Sequence, residues 1–296
     1  MAMAMGLCST PATPIVLSLA AAFLFALGIQ FTRKGLQHTD PRSGTLISIG
    51  TATLLYWVVS PWWLERDYWL SPAIVLFAAI GLFRPFISSN LSMAGTKFLG
   101  ATISSTLAAT SPLFGVALGV LLLGEYFGAD IALGTGAIVT GVVILSWRGG
   151  VSRDWPWWAL LLPIGAACLR SVAQAFAKLG MESLPSPYFV GLVGYSVSFA
   201  IALADHYRRG GATHMVINRG CAWLALTGLS YGFAILSLNS ALNCGRLSVV
   251  APIVACSPLF TLLLGVCVFR ERAVTGRVVL AVLLVVPGVV LISMGG

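Results

Sequence analysis

Apolar runs of about twenty residues, each closed by charge, Pro or Gly, recur along the whole chain. They lie near residues 14–33, 43–63, 70–95, 101–123, 129–148, 157–179, 187–207, 221–242, 247–269 and 275–294. At a helical rise of about 1.5 Å per residue, each can cross a hydrocarbon core about 30 Å thick. Each is also roughly twice the length of an outer-membrane barrel strand, and long alternating strands are missing. The pattern predicts an all-α integral membrane protein with ten transmembrane helices.

Composition sharpens this. Of 296 residues, 58% are apolar and only 9% charged, and the mean hydropathy is +0.95. Ten crossings use most of the chain, leaving no room for a soluble catalytic domain, so the protein is not expected to be an enzyme. The net charge of +8 comes from Lys and Arg scattered between spans, which argues against a nucleic-acid partner. Cys168, Cys256 and Cys267 lie inside apolar runs and no Cys-x-x-Cys occurs. The six cysteines therefore make neither a disulfide framework nor a zinc site, and they read as small apolar fillers. No metal or cofactor is expected. The expected partners are lipid and a small-molecule substrate.

The two halves echo each other. Ser111-Pro112-Leu113-Phe114 recurs 146 positions later as Ser257-Pro258-Leu259-Phe260, and the same shift carries Leu118-Gly119-Val120 onto Leu264-Gly265-Val266 and Glu125 onto Glu271. Residues 1–149 and 150–296 are thus expected to be two five-helix repeats. An odd number of crossings per unit makes the second copy enter from the opposite side, an inverted repeat suited to alternating access. Because both copies sit in one chain, a monomer is expected to suffice.

Basic residues set the expected orientation. Arg66, Lys178 and Arg246 fall on the side holding the termini, against twelve Lys and Arg on the other side. The positive-inside rule then places both termini outside the cytoplasm of a bacterial-type inner membrane. No Lys or Arg precedes Arg33, so the first apolar run reads as a span and not as a secretory signal. Trp62, Trp63, Trp157 and Trp158 mark span ends as interfacial anchors.

Only Arg84 and Arg170 among the basic residues fall inside spans. An Arg at mid-helix costs about 2.5 to 3.5 kcal/mol on insertion scales, which makes a functional role the default reading. Arg84, Ser88 and Ser92 share one helix face, as do Arg170, Gln174 and Lys178. Either the two stripes line a wet cavity that binds a carboxylate or phosphate, or the guanidinium groups satisfy carbonyls freed where Pro85 breaks its helix. Tyr231 and Asn239, two turns apart on span eight, join the candidate substrate-binding set, with helix–helix hydrogen bonds as the alternative. Gln30, which a weaker echo of the repeat pairs with Gln174, completes it. Pro85, Pro112, Pro163 and Pro258 are candidate hinges. No Asp, Glu or His lies at mid-membrane, so no carboxylate proton relay is visible and facilitated diffusion is the expected mode, with coupling through an end-of-helix Glu, Glu125 or Glu271, as the alternative.

Three local motifs lead elsewhere and are set aside. Gly228-Leu229-Ser230-Tyr231-Gly232 has the serine-hydrolase spacing but no strand-to-helix elbow and no nearby His/Asp pair. Asn90-Leu91-Ser92 fits a glycosylation acceptor inside a span. Gly115-x-x-x-Gly119 reads as internal helix packing.

With these residues in view, the chain resembles the EamA branch of the drug/metabolite transporter superfamily, whose halves each carry Ser-Pro-Leu-Phe, an apolar stretch, Leu-Gly-Glu and a Gly-Val-rich last helix. Thr110 to Phe114, Leu123-Gly124-Glu125 and Gly141-Val142-Val143 look like the first copy. Cys256 to Phe260, Phe269-Arg270-Glu271 and Gly288-Val289-Val290 look like the second, with Phe-Arg replacing Leu-Gly. The resemblance implies an inner-membrane carrier exporting amino acids or related metabolites, nearest to the YddG-type exporters of aromatic and other neutral amino acids. Carriers of phosphorylated or other anionic metabolites, lipid flippases and channels are the alternatives.

Overall fold

The computed structural model describes residues 12–146, 156–208, 219–267 and 276–295. All regular structure among them is helical. The turn Phe269-Arg270-Glu271 and the loop arginines Arg148, Arg153, Arg209, Arg270 and Arg272 lie outside the described residues.

The first half comprises α1 (Thr13–Gly35), α2 (Pro41–Trp63), α3 (Ala73–Leu82), α4 (Ser88–Ala108), α5 (Ser111–Leu123) and α6 (Ala129–Ser146). The second comprises α7 (Leu161–Ser183), α8 (Pro187–Arg208), α9 (Arg219–Cys244), α10 (Leu247–Val254), α11 (Ser257–Cys267) and α12 (Gly276–Gly295). Seven helices among the described residues are long and apolar enough to cross a membrane. Local chemistry sets the starts. At α2, the Asp40 carboxylate accepts from the Ser43 N–H at 3.0 Å and Pro41 fills the first turn, where no N–H is needed. α5 ends on Gly124 at φ 62°, a left-handed turn that glycine adopts without strain.

Spans three and four differ from the sequence expectation. The break expected between residues 95 and 101 is absent: α4 runs unbroken through it, and the interruptions fall at residues 83–87 and 109–110. Proline explains the shift. One interruption contains Pro85 and the other lies just before the Ser111-Pro112 start of α5, whereas the stretch 96–100 has no proline. In the second half the matching stretch, Cys244-Gly245-Arg246, does break the chain between α9 and α10.

The two halves thread in opposite directions. α6 packs on its repeat mate α12 with Gly134 against Gly288 and Ile292, and Gly141 against Val285 and Ala281. Rising numbers on one helix meet falling numbers on the other, so equivalent helices run antiparallel. α1 also runs antiparallel to α9, which is not its repeat mate, with Pro14 against Gly245 and Gly35 against Leu224. At these glycines backbones approach closely, as lipid-embedded interfaces require. Gly115 and Gly119 face α10 in the same way, which is internal packing.

Two buried clusters hold the bundle. One gathers Phe77, Phe189, Leu192, Leu238 and Leu242, and the other Ile131, Ile138, Ile253 and Ile292. All eight residues of α10 are buried. Trp62 and Trp157 are exposed at helix ends. Cys168, Cys221 and Cys256 are free thiols, whereas Cys244 is disulfide-bonded, a departure from the reading of the cysteines as fillers.

Candidate functional site

A cavity of about 230 Å³ lies where both halves meet. Its wall contains six residues picked out by the sequence: Arg84, Ser88, Arg170, Gln174, Tyr231 and Asn239. α4 and the bend before it supply the first two, α7 the next two and α9 the last two.

Arg84 sits at φ −138°, ψ 133°, extended backbone inside an otherwise helical segment. The cause is local: a following proline clashes with α-helical geometry and drives the preceding residue to the β region. The break frees carbonyls, and a neighbour takes them. The buried Ser198 hydroxyl of α8 lies 2.7 Å from Gly81 O and 2.8 Å from Arg84 O, sharing its one proton between them. Ser198 thus does for the bend what the alternative reading assigned to the arginine. The guanidinium carbon of Arg84 instead lies 5.6 Å from the centre of the Phe25 ring, within cation–π range.

Arg170 is held from the motif Ser-Pro-Leu-Phe. Its neighbour Ser171 donates to Ser111 O at 2.9 Å, and the two hydroxyls are 3.3 Å apart. The first residue of the repeated motif therefore fixes the height of α7 beside the cavity. Gln174, one turn further on, presents a buried Oε1 with no hydrogen-bond partner among the described residues. Such an atom is costly unless a ligand or water meets it.

Aromatic rings also line the cavity. Phe25 and Tyr231 lie 5.9 Å apart between centroids, and Tyr195 joins them. Tyr231 crosses the face of α1 at Gly28, where a Cβ would overlap its ring. Asn239 combines the two readings offered for it: it lines the cavity, and its Nδ2 donates to Pro187 O at 3.2 Å, tying α9 to the start of α8. Among the described residues, the lining includes two arginines and no Asp or Glu.

Gln30 and Pro163 depart from expectation. Gln30 is buried away from the cavity; its Nε2 donates to Thr261 O at 2.7 Å and joins α1 to α11. The reason is register, since Gly28 and Phe25, not Gln30, are the α1 residues turned toward Tyr231. Pro163 stands in the first turn of α7 and interrupts nothing, because first-turn N–H groups have no intrahelical partner to lose. Pro112 and Pro258 occupy the first turns of α5 and α11, each just after a two-residue break. Phe25, Tyr195 and Ser198 were missed, because an aromatic or a single Ser inside an apolar run carries no sequence signal of its own.

The chain is a polytopic helical protein with a cavity that holds two arginines between its halves. The EamA-like transporter family matches residues 12–147 and 157–294, one copy in each half. The chain belongs to that family, and so is a transporter of small molecules of the drug/metabolite class. A solved crystal structure at 16% identity shares the fold with a TM-score of 0.81, over 96% of this chain and 98% of the other. No curated protein matches significantly.

Proposed function

We propose that the chain moves small organic anions, bearing a carboxylate or a phosphate, through the membrane by opening the central cavity alternately to each side. One observation carries this reading: Arg84 and Arg170 line the same cavity with no carboxylate among the lining residues. Two guanidinium groups in a low-dielectric setting favour an anionic cargo held by paired hydrogen bonds. The volume sits below the roughly 300–1,000 Å³ usual for small-molecule sites. That suits a compact metabolite better than a lipid.

A neutral or aromatic amino acid is the second reading. The unpartnered Gln174 Oε1 and the rings of Phe25, Tyr195 and Tyr231 favour it, since they offer an ammonium group an acceptor and π faces. Without an acidic residue on the wall, transport by facilitated diffusion needs no carboxylate proton relay. The excess of basic residues on the opposite side supports termini outside the cytoplasm.

Counterflow in proteoliposomes decides between cargoes, with labelled dicarboxylates and phosphorylated three-carbon acids in one arm and neutral and aromatic amino acids in the other. Saturable exchange of the acids is expected. Exchange of amino acids alone moves the assignment to the second reading, and no saturable exchange in either arm overturns both.

A further inference from the structure

A carboxylate outside the cavity joins the two halves. Glu125 follows the left-handed turn at Gly124, and its N–H returns to Gly119 O at 3.0 Å. The side chain reaches across to the second half. Oε1 accepts from Leu247 N at 2.6 Å and Oε2 from Ser248 N at 2.7 Å, so both oxygens bind the first turn of α10. An acid at a helix N-terminus is doubly favoured, by hydrogen bonds to unpaired N–H groups and by the helix dipole. α10 has no side-chain cap of its own at Arg246.

The fold makes room for this contact. A Cβ at Gly119 would stand 2.6 Å from Glu125 Oε2, so only glycine lets the carboxylate lie over α5. The other side of the same turn is held too. Lys178 Nζ donates to Leu242 O, in the last turn of α9, at 3.0 Å and to Gly245 O, in the turn that follows. The α9–α10 turn is thus clamped by an anion from one half at its helix start and a cation from the other half at its helix end. α7, which carries Lys178, and α9, which carries Leu242, also carry Arg170, Gln174, Tyr231 and Asn239.

Among the described residues the first half shows no counterpart of this clamp; Glu271, the repeat mate of Glu125, lies outside them. The 146-residue shift puts Leu247 and Ser248 on Ala101 and Thr102, which lie inside the unbroken α4, where backbone N–H groups are used within the helix. In a carrier built from inverted repeats, alternating access is gating of one repeat against the other around a fixed site.

We propose that Glu125 is the latch of the carrier: its grip on the α10 N-terminus closes the end of the bundle that holds the α9–α10 turn, and its release opens the cavity there. Glu125 is a positioning residue that never meets cargo. The latch rests on the alternating-access reading above, but not on which cargo is carried.

The test uses side-specific labelling of a cysteine placed on the cavity wall at Ala177, in oriented proteoliposomes without any cargo. Membrane-impermeant maleimide is added from one side or the other, and labelling is taken above that of the chain lacking the added cysteine. In Glu125→Ala, labelling from the latched end rises by about tenfold or more, the factor expected for losing a charge-assisted hydrogen bond. Labelling from the opposite end falls. Glu125→Gln, which keeps shape and one acceptor, gives an intermediate rise. Equal labelling of parent and both variants from the latched end overturns the latch, as does a parallel rise from both sides, which marks loosened packing. Because no cargo is present, failure here is separate from failure of the counterflow assay.

Discussion

The Ser198 hydroxyl lies 2.8 Å from the backbone carbonyl of Arg84 and 2.7 Å from that of Gly81. A serine of the second half thereby stabilises a bend in the first half that Pro85 imposes. The bend lets Arg84 leave the regular helical path at the depth of the cavity.

Removing that hydroxyl strands two carbonyls in a buried place. Ser198→Ala is expected to destabilise the folded carrier by about 1–3 kcal/mol, read as a lower midpoint in thermal unfolding in detergent. Ser198→Thr, which keeps the hydroxyl, is expected to lose less.

The arginines separate charge from geometry. Arg84→Ala and Arg170→Ala are each expected to lower saturable counterflow of an acidic cargo by about 10- to 100-fold, the cost of a hydrogen bond to a charged group. Lysine at either position keeps the charge and loses the planar fork. It should recover part of the flux at a higher half-saturating concentration. Insertion, followed by the yield of monodisperse protein, should hold throughout.

Gly28 gives a steric handle on the aromatic wall. A methyl at this position overlaps the Tyr231 ring and forces it to move. Gly28→Ala should change the cargo preference seen in competition counterflow, disfavouring larger cargoes, while Tyr231→Ala should relax it.

Lys178 provides a check on the α9–α10 turn. Lys178→Met is expected to leave the Leu242 and Gly245 carbonyls without their donor and to cost about 1–3 kcal/mol in thermal unfolding. Hydrogen–deuterium exchange should quicken in peptides around residues 242–248 before it does in α6 or α12.

Much of this was legible from the order of residues alone. Membrane residence follows from apolar run length, because lipid offers no partner to an unpaired backbone. The doubled Ser-Pro-Leu-Phe and the odd number of runs per half pointed to opposed threading, and the antiparallel packing of α6 on α12 has that arrangement. Arg84 and Arg170 stood out because a charge at mid-membrane is expensive wherever the fold puts it. Other features depended on contacts between distant segments. Sequence spacing offered Gln30 and Gln174 alike, yet helix rotation sent one to Thr261 and the other to the cavity. Ser198 became the partner of Arg84 and Glu125 the cap of α10 across sequence separations of 114 and 122 or more. Periodicity within a helix reports which residues share a face, but only the packing of one helix on another decides what that face meets.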